Sequence, residues 1–161
     1  TEDRKRYGLL PVSDVQTNLT LASLRRFRKG IALDHSGATR ECRTHSRRLS
    51  IKTPSLLFPV INLSGGNQQK VILGRFLMTS PRLLLLDDPT RGVDVGAKHE
   101  IYRIIHELAG EGIGVLFASS ELPEVLGVSH RVIVLHEGAM RAEFAHGQAS
   151  EEKVLALAAG V

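Results

Sequence analysis

Four leucines in a row, Leu83-Leu84-Leu85-Leu86, run straight into two acids, Asp87-Asp88, and the whole is bracketed by Pro81 and Pro89. So short and so apolar a run reads as a strand over residues 82–87 that is buried on both faces, as in the middle of a parallel sheet covered by helices. The prolines mark its ends. Downstream, Ile101, Ile104, Ile105 and Leu108 recur at i, i+3, i+4 and i+7, which predicts an amphipathic helix over 96–109 stopped by Gly110. A buried strand at 113–118, a short helix at 121–126 and a strand at 131–135 follow. A hairpin through Glu137-Gly138 then leads into a strand ending near Phe144. Ser150 is placed to cap a last helix, with Glu151 and Glu152 at the positive end of its dipole and Val154, Leu157 and Ala158 to dock it. Helices alternating with short apolar strands predict an α/β fold, a mostly parallel sheet flanked by helices.

The 161 residues are enough for one domain, and with aromatics at 4% and no Trp its core has to be aliphatic. No apolar run is long enough to span a bilayer, and the charged opening Thr1-Glu2-Asp3-Arg4-Lys5-Arg6 is followed by no signal-peptide core. Both observations predict a soluble, cytosolic protein. Cys42, the sole cysteine, reads as structural, and none of the seven histidines has zinc-site spacing. Charge is uneven: the first 52 residues hold twelve Lys and Arg against five Asp and Glu. Such a region suits nucleic acid, anionic lipid or an acidic partner surface, or is a solvated helix face. Only Tyr7 and Phe27 are interleaved with it, poor material for stacking on bases, so nucleic-acid binding is not expected.

Residues 8–33 mix short apolar stretches with turns. Residues 36–49 predict a helix with a weak apolar stripe and four arginines, Arg40, Arg43, Arg47 and Arg48, the core of a helical subdomain. Then comes Leu63-Ser64-Gly65-Gly66-Asn67-Gln68-Gln69-Lys70, directly ahead of the helical run Val71, Ile72, Leu73, Phe76 and Leu77. Ser64 is predicted to cap this helix, and the two glycines let the backbone approach a ligand. The unpaired N–H groups and the dipole make the helix start an anion site suited to phosphate, though a plain glycine-rich turn has the same look. Asp87 and Asp88 emerge at the strand end where α/β sheets bind ligands. Asp87 suits a magnesium ion, and Asp88 stands where it would polarise an attacking water.

In this order the motifs resemble those of the ATP-binding-cassette ATPases. By that resemblance Ser64-Gly65-Gly66 is the signature motif, Leu83 to Asp87 the Walker B strand and Arg91-Gly92-Val93-Asp94 the D-loop. Ser120, in Ser119-Ser120-Glu121, takes the place of the switch-loop histidine, and Glu2 falls near the Q-loop. The wording of Glu2 to Lys5, of Pro89 to Lys98 and of Ser119 to Gly127 is similar to the second cassette of bacterial ribose, xylose and galactose importers. The likeness covers nearly the whole chain and is weakest at 34–60. It divides one ATPase domain into residues 1–80, with Q-loop, helical subdomain and signature helix, and residues 81–161, from Walker B to the end.

The resemblance implies a P-loop fold, ATP and Mg2+ as ligands, and ATP hydrolysis coupled to monosaccharide uptake at the cytoplasmic face of the membrane. It implies three partners: a second cassette, a membrane permease and, indirectly, an extracellular sugar-binding protein. Two cassettes of this family share two ATP molecules, so Ser64, Gly65, Gly66 and Gln68 would face the ATP of a partner, with Asp94 at the interface. Asp87, Asp88 and Ser120 would belong to the chain's own site, and Glu2, near the Q-loop, would be a cofactor-binding residue. That site departs from the family pattern. No Gly-x-x-x-x-Gly-Lys-Ser/Thr string occurs, which predicts a partial, N-terminally incomplete cassette that is inactive alone. Asp88 replaces the usual glutamate, withdrawing the carboxylate by about 1.5 Å, a misplacement expected to cost about 100-fold. Ser120 cannot share a phosphate charge as histidine does. Two other readings remain: a catalytically silent module that completes a partner's site, and a soluble cassette protein outside transport.

Overall fold

The structure, a computed structural model, describes residues 8–161. Glu2 therefore lies outside the described residues. The chain divides into two compact units, Thr1–Leu116 and Phe117–Val161. The division falls well beyond the boundary at residue 80 drawn from the motifs.

In the first unit, α1 (Val15–Thr20) starts at Asp14, whose carboxylate accepts the Thr17 N–H at 2.7 Å. A single 3-10 turn leads into two-residue strands, β1 (Arg28–Lys29) and β2 (Ala32–Leu33), which pair antiparallel around Gly30 at φ 60°. This hairpin has no counterpart in the sequence reading, because two residues per strand carry no alternation. Asp34 caps α2 (His35–Arg48), which buries only Ala38 and Cys42, as its weak apolar stripe implied. The thiol of Cys42 is completely buried and its pKa is pushed up to about 12 by desolvation, which makes it unreactive.

The central element is α3 (Gly65–Leu77), which packs against α1 and α2. At Gly74 a Cβ would stand 2.6 Å from Leu19 Cδ2, so the missing side chain is what lets α1 approach. Next come β3 (Leu83–Asp87), α4 (Val95–Gly110) and β4 (Gly114–Ala118). α4 also packs on α3, and β3 and β4 are neighbours joined through α4, the crossover of an α/β fold. The four residues that α4 buries, Ile101, Ile104, Ile105 and Leu108, are those of the periodic stripe. The leucine strand is not buried on both faces. Leu84 is 4% exposed, but Leu83 and Leu85 are 56% and 70% exposed. Side chains alternate across a strand, and here only one face is covered.

The second unit is made of α5 (Leu122–Val128), an antiparallel hairpin of β5 (Arg131–His136) and β6 (Ala139–Ala145), and α6 (Glu151–Ala159). Glu137 and Gly138 both take positive φ, 49° and 76°, as a two-residue hairpin turn requires. Val132, Val134, Phe144 and Val154 form its core, with Leu122, Val125, Leu126 and Leu157 packed around them. Ser150 caps α6 and Gly160, at φ 83°, ends it. The strands of the described residues fall into three two-stranded sheets. No helix among those residues is long and apolar enough to cross a membrane.

Candidate functional site

Four helices, α1, α2, α4 and α6, are capped by the side chain of the residue before them. α3 is not. Ser64 occupies its N-cap position with extended backbone, φ −60° and ψ 157°, but its hydroxyl accepts no N–H from the first turn. This corrects the expectation that Ser64 closes the helix with its side chain. The hydroxyl is engaged instead by Asn67, whose Nδ2 donates to Ser64 Oγ at 2.9 Å, while Asn67 Oδ1 accepts the Lys52 N–H at 2.8 Å. Ser64 is exposed. The positive end of α3 is thus open, with a hydroxyl beside it, the arrangement that receives an anion.

α4 starts beside it. Gly66 is buried against this helix: a Cβ on Gly66 would lie 2.4 Å from Ala97 Cβ. Asp94 Oδ1 accepts the Ala97 N–H at 2.9 Å, so its carboxylate caps α4. Between the two helix starts opens a cavity of about 270 Å³ lined by Ser64, Asn67, Lys52, Asp94 and Gly96 among others. Deeper, Lys70 is almost fully buried, and its ammonium donates to Glu100 Oε2 at 2.5 Å and to the Ser50 carbonyl at 2.9 Å. The bond from Lys70 holds the Glu100 carboxyl below its ordinary pKa.

Gln68 does not present its side chain to this opening. It is 2% exposed, and its amide nitrogen is shared among the carbonyls of Val60, Ile61 and Leu63, at 3.3, 3.2 and 3.1 Å. In the first turn of a helix, the residue four places after the cap points back along the chain that enters the helix. Gln68 therefore braces the approach to Ser64 from inside.

Asp87 is exposed at the end of β3 and Asp88 is half-buried in the next turn, at φ 42°. Adjacent carboxylate oxygens at a strand end are the donor chemistry that a hard, water-retaining magnesium ion takes. Ser120 is exposed at the start of the second unit, next to Ser119, whose hydroxyl donates to Glu124 at 2.9 Å. Sequence reasoning missed Asn67, Lys52, Lys70 and Glu100 as site residues. Asn67 and Lys70 stood inside the glycine-rich octapeptide, but their partners are 15 and 30 residues away, and no local pattern announces them.

Residues 4–91 match the family model of the ABC transporter. The xylose import ATP-binding protein of Geobacillus kaustophilus is 47% identical over 99% of this chain, which covers 32% of that protein. The arabinose import ATP-binding protein of Pectobacterium atrosepticum is 52% identical over 98% of this chain, which covers 31% of it. The chain thus spans about a third of the length of these relatives. A dimeric bacterial ABC transporter cassette has the same fold at a TM-score of 0.72 and 21% identity, over 88% of this chain and 60% of that one. The family model takes in more than half of the residues, and the glycine turn that opens α3 and the acidic end of β3 both lie within it. By sequence and by fold, then, this chain belongs to the ABC transporter family, as part of its ATPase domain.

Proposed function

We propose that the opening of α3 is the half-site for the terminal phosphate of an ATP held by a partner cassette, in the ATPase component of a bacterial monosaccharide importer. The observation that carries this reading is the uncapped start of α3, with the Ser64 hydroxyl exposed beside it. An anion is the complement of unpaired N–H groups at a helix start. The names of the relatives, importers of xylose and arabinose, support the substrate class, and the dimeric cassette of the same fold supports a paired arrangement.

In this reading Ser64, Gly65 and the first-turn amides of α3 face the partner's nucleotide, Gly66 and Gln68 shape the turn from within, and Asp94 stands near the shared interface. Asp87 would hold Mg2+, which when bound offsets charge on the phosphates. Asp88 departs from the family pattern and would weaken the chain's own site, so hydrolysis takes place mainly at the partner's. The basic surface of α2, with Arg43 and Arg47 exposed, belongs to the side that meets a permease at the cytoplasmic face of the membrane. The extracellular sugar-binding protein acts on this chain only through that permease.

The test is turnover. An intact cassette with its own phosphate loop is assayed for ATP hydrolysis with and without this chain. Stimulation that saturates with added chain, and falls roughly tenfold in Ser64→Ala, is the expected result. Hydrolysis by the chain alone above background would overturn the assignment of catalysis to the partner's site, and saturable binding without stimulation would overturn the α3 opening as a half-site for the partner's phosphate.

A further inference from the structure

A hydroxyl can donate or accept, and its neighbours decide which. Around Ser64 that decision starts from a backbone amide, which can only donate. The Lys52 N–H lies 2.8 Å from one terminal atom of the Asn67 side chain, so that atom is the amide oxygen. The other terminal atom is then the NH2 group, and it faces Ser64 Oγ at 2.9 Å. An NH2 group only donates, which holds Ser64 Oγ as an acceptor. Its own hydrogen is left to point away from Asn67.

The base of this chain of bonds is itself fixed. Lys70 Nζ donates to the Ser50 carbonyl at 2.9 Å, and the Ile51 N–H donates to the Ser46 carbonyl at 2.9 Å. Ser50 sits at φ 50°, which sets the direction in which the following amides leave α2. The Lys52 N–H is therefore held in place, and with it the orientation of Asn67.

We propose that the Lys52 N–H, Asn67 and Ser64 form a polarity relay that commits the Ser64 hydroxyl to donate to a bound anion, so that Asn67 is a positioning residue for the phosphate. The relay rests on the reading that Ser64 meets the phosphate of a partner's ATP. Its advantage is preorganisation: a donor already turned outward needs no reorientation when charge arrives.

A double-mutant cycle on the full chain tests it, with the stimulated ATP turnover of an intact partner cassette as the readout and thermal melts as the control for folding. Ser64→Ala and Asn67→Ala are each expected to lower the stimulated kcat roughly tenfold, the scale of one hydrogen bond to a charged group. The double variant is expected to be no worse than Ser64→Ala alone. Asn67→Asp keeps the shape and the acceptor for Lys52 but cannot donate; it would draw the serine hydrogen to itself and lose more than Asn67→Ala. Additive losses, or an Asn67→Ala as active as the unmodified chain beside an impaired Ser64→Ala, would overturn the relay. If Ser64→Ala loses nothing, or the unmodified chain does not stimulate, the phosphate reading fails first and takes the relay with it.

Discussion

Gly66 and Ala97 touch so closely that no side chain fits between them: a Cβ on Gly66 would stand 2.4 Å from Ala97 Cβ and 3.6 Å from Val93 Cγ1. The second glycine of the turn that opens α3 is thus demanded by helix packing. Gly66→Ala is expected to push the starts of α3 and α4 apart at a cost of about 1–3 kcal/mol. Ala97→Gly relieves the overlap and restores part of that loss, although by itself it costs about 1 kcal/mol. Urea unfolding midpoints of the two single variants and the double one decide the matter; a Gly66→Ala as stable as the unmodified chain would rule out the packing role.

Arg75 is 7% exposed and faces no carboxylate among the described residues. Its guanidinium donates from Nε to the Asn18 carbonyl at 2.8 Å, from Nη1 to the Gly8 carbonyl at 2.8 Å and from Nη2 to Asn18 Oδ1 at 2.9 Å. Asn18 is completely buried and passes the connection on, donating to the Leu10 and Asp14 carbonyls and accepting the Leu10 N–H. A planar fork meets these acceptors where a lysine ammonium cannot. Arg75→Lys is therefore expected to lose about 3 kcal/mol, close to the loss in Arg75→Met, since both leave buried carbonyls unpaired. Circular-dichroism melts check it; a Lys variant with unmodified stability would show that charge, and not the fork, is what the site needs.

Much of the second unit was legible because its signals are local. The Glu137-Gly138 turn, the Ser150 cap and the apolar positions of α6 each declare themselves within a few residues. The same holds for α4, whose buried residues are its periodic stripe. What sequence could not supply depends on which neighbour arrives. The four leucines at 83–86 carry the composition of a doubly covered strand, yet whether a layer lies on each face is not written in the strand itself. At the α3 opening, the helix start directly after Ser64 was readable from type and spacing. The engagement of the hydroxyl by Asn67, and the inward turn of Gln68, follow from bonds to residues outside the motif.

Lys70 and Glu100 give the site an acid-sensitive support. Glu100 titrates below its ordinary value because Lys70 donates to it, with the charges of Lys70, Lys52 and Arg103 adding to the effect. A carboxyl whose folded-state pKa is depressed contributes stability that is present above its unfolded value and lost as pH falls through the folded one. Glu100→Gln is therefore expected to be less stable than the unmodified chain near neutral pH, with the gap closing in acid below the ordinary carboxylate range. Lys70→Met should cost less than Glu100→Gln, because the latter leaves a buried ammonium with no opposing charge. Urea titrations across the acid range test this; a gap that stays constant with pH would show that the pair contributes shape alone.

Asp88 stands at φ 42°, in the left-handed region, and its carbonyl accepts the Arg91 N–H at 3.1 Å as the chain turns toward α4. Aspartate and asparagine tolerate that backbone better than other side chains with a Cβ. Position 88 thus sets two demands against each other: the family glutamate would reach farther, while aspartate suits the turn. Asp88→Glu is expected to be less stable than Asp88→Asn by up to about 1 kcal/mol. It is also expected to leave ATP hydrolysis by the chain alone at background, because a longer carboxylate supplies none of the phosphate contacts of a phosphate loop. Paired melts and turnover assays of the two variants separate reach from conformation. A Glu variant that turns over ATP unaided would overturn this expectation and make the reach of the carboxylate at position 88 the limiting feature.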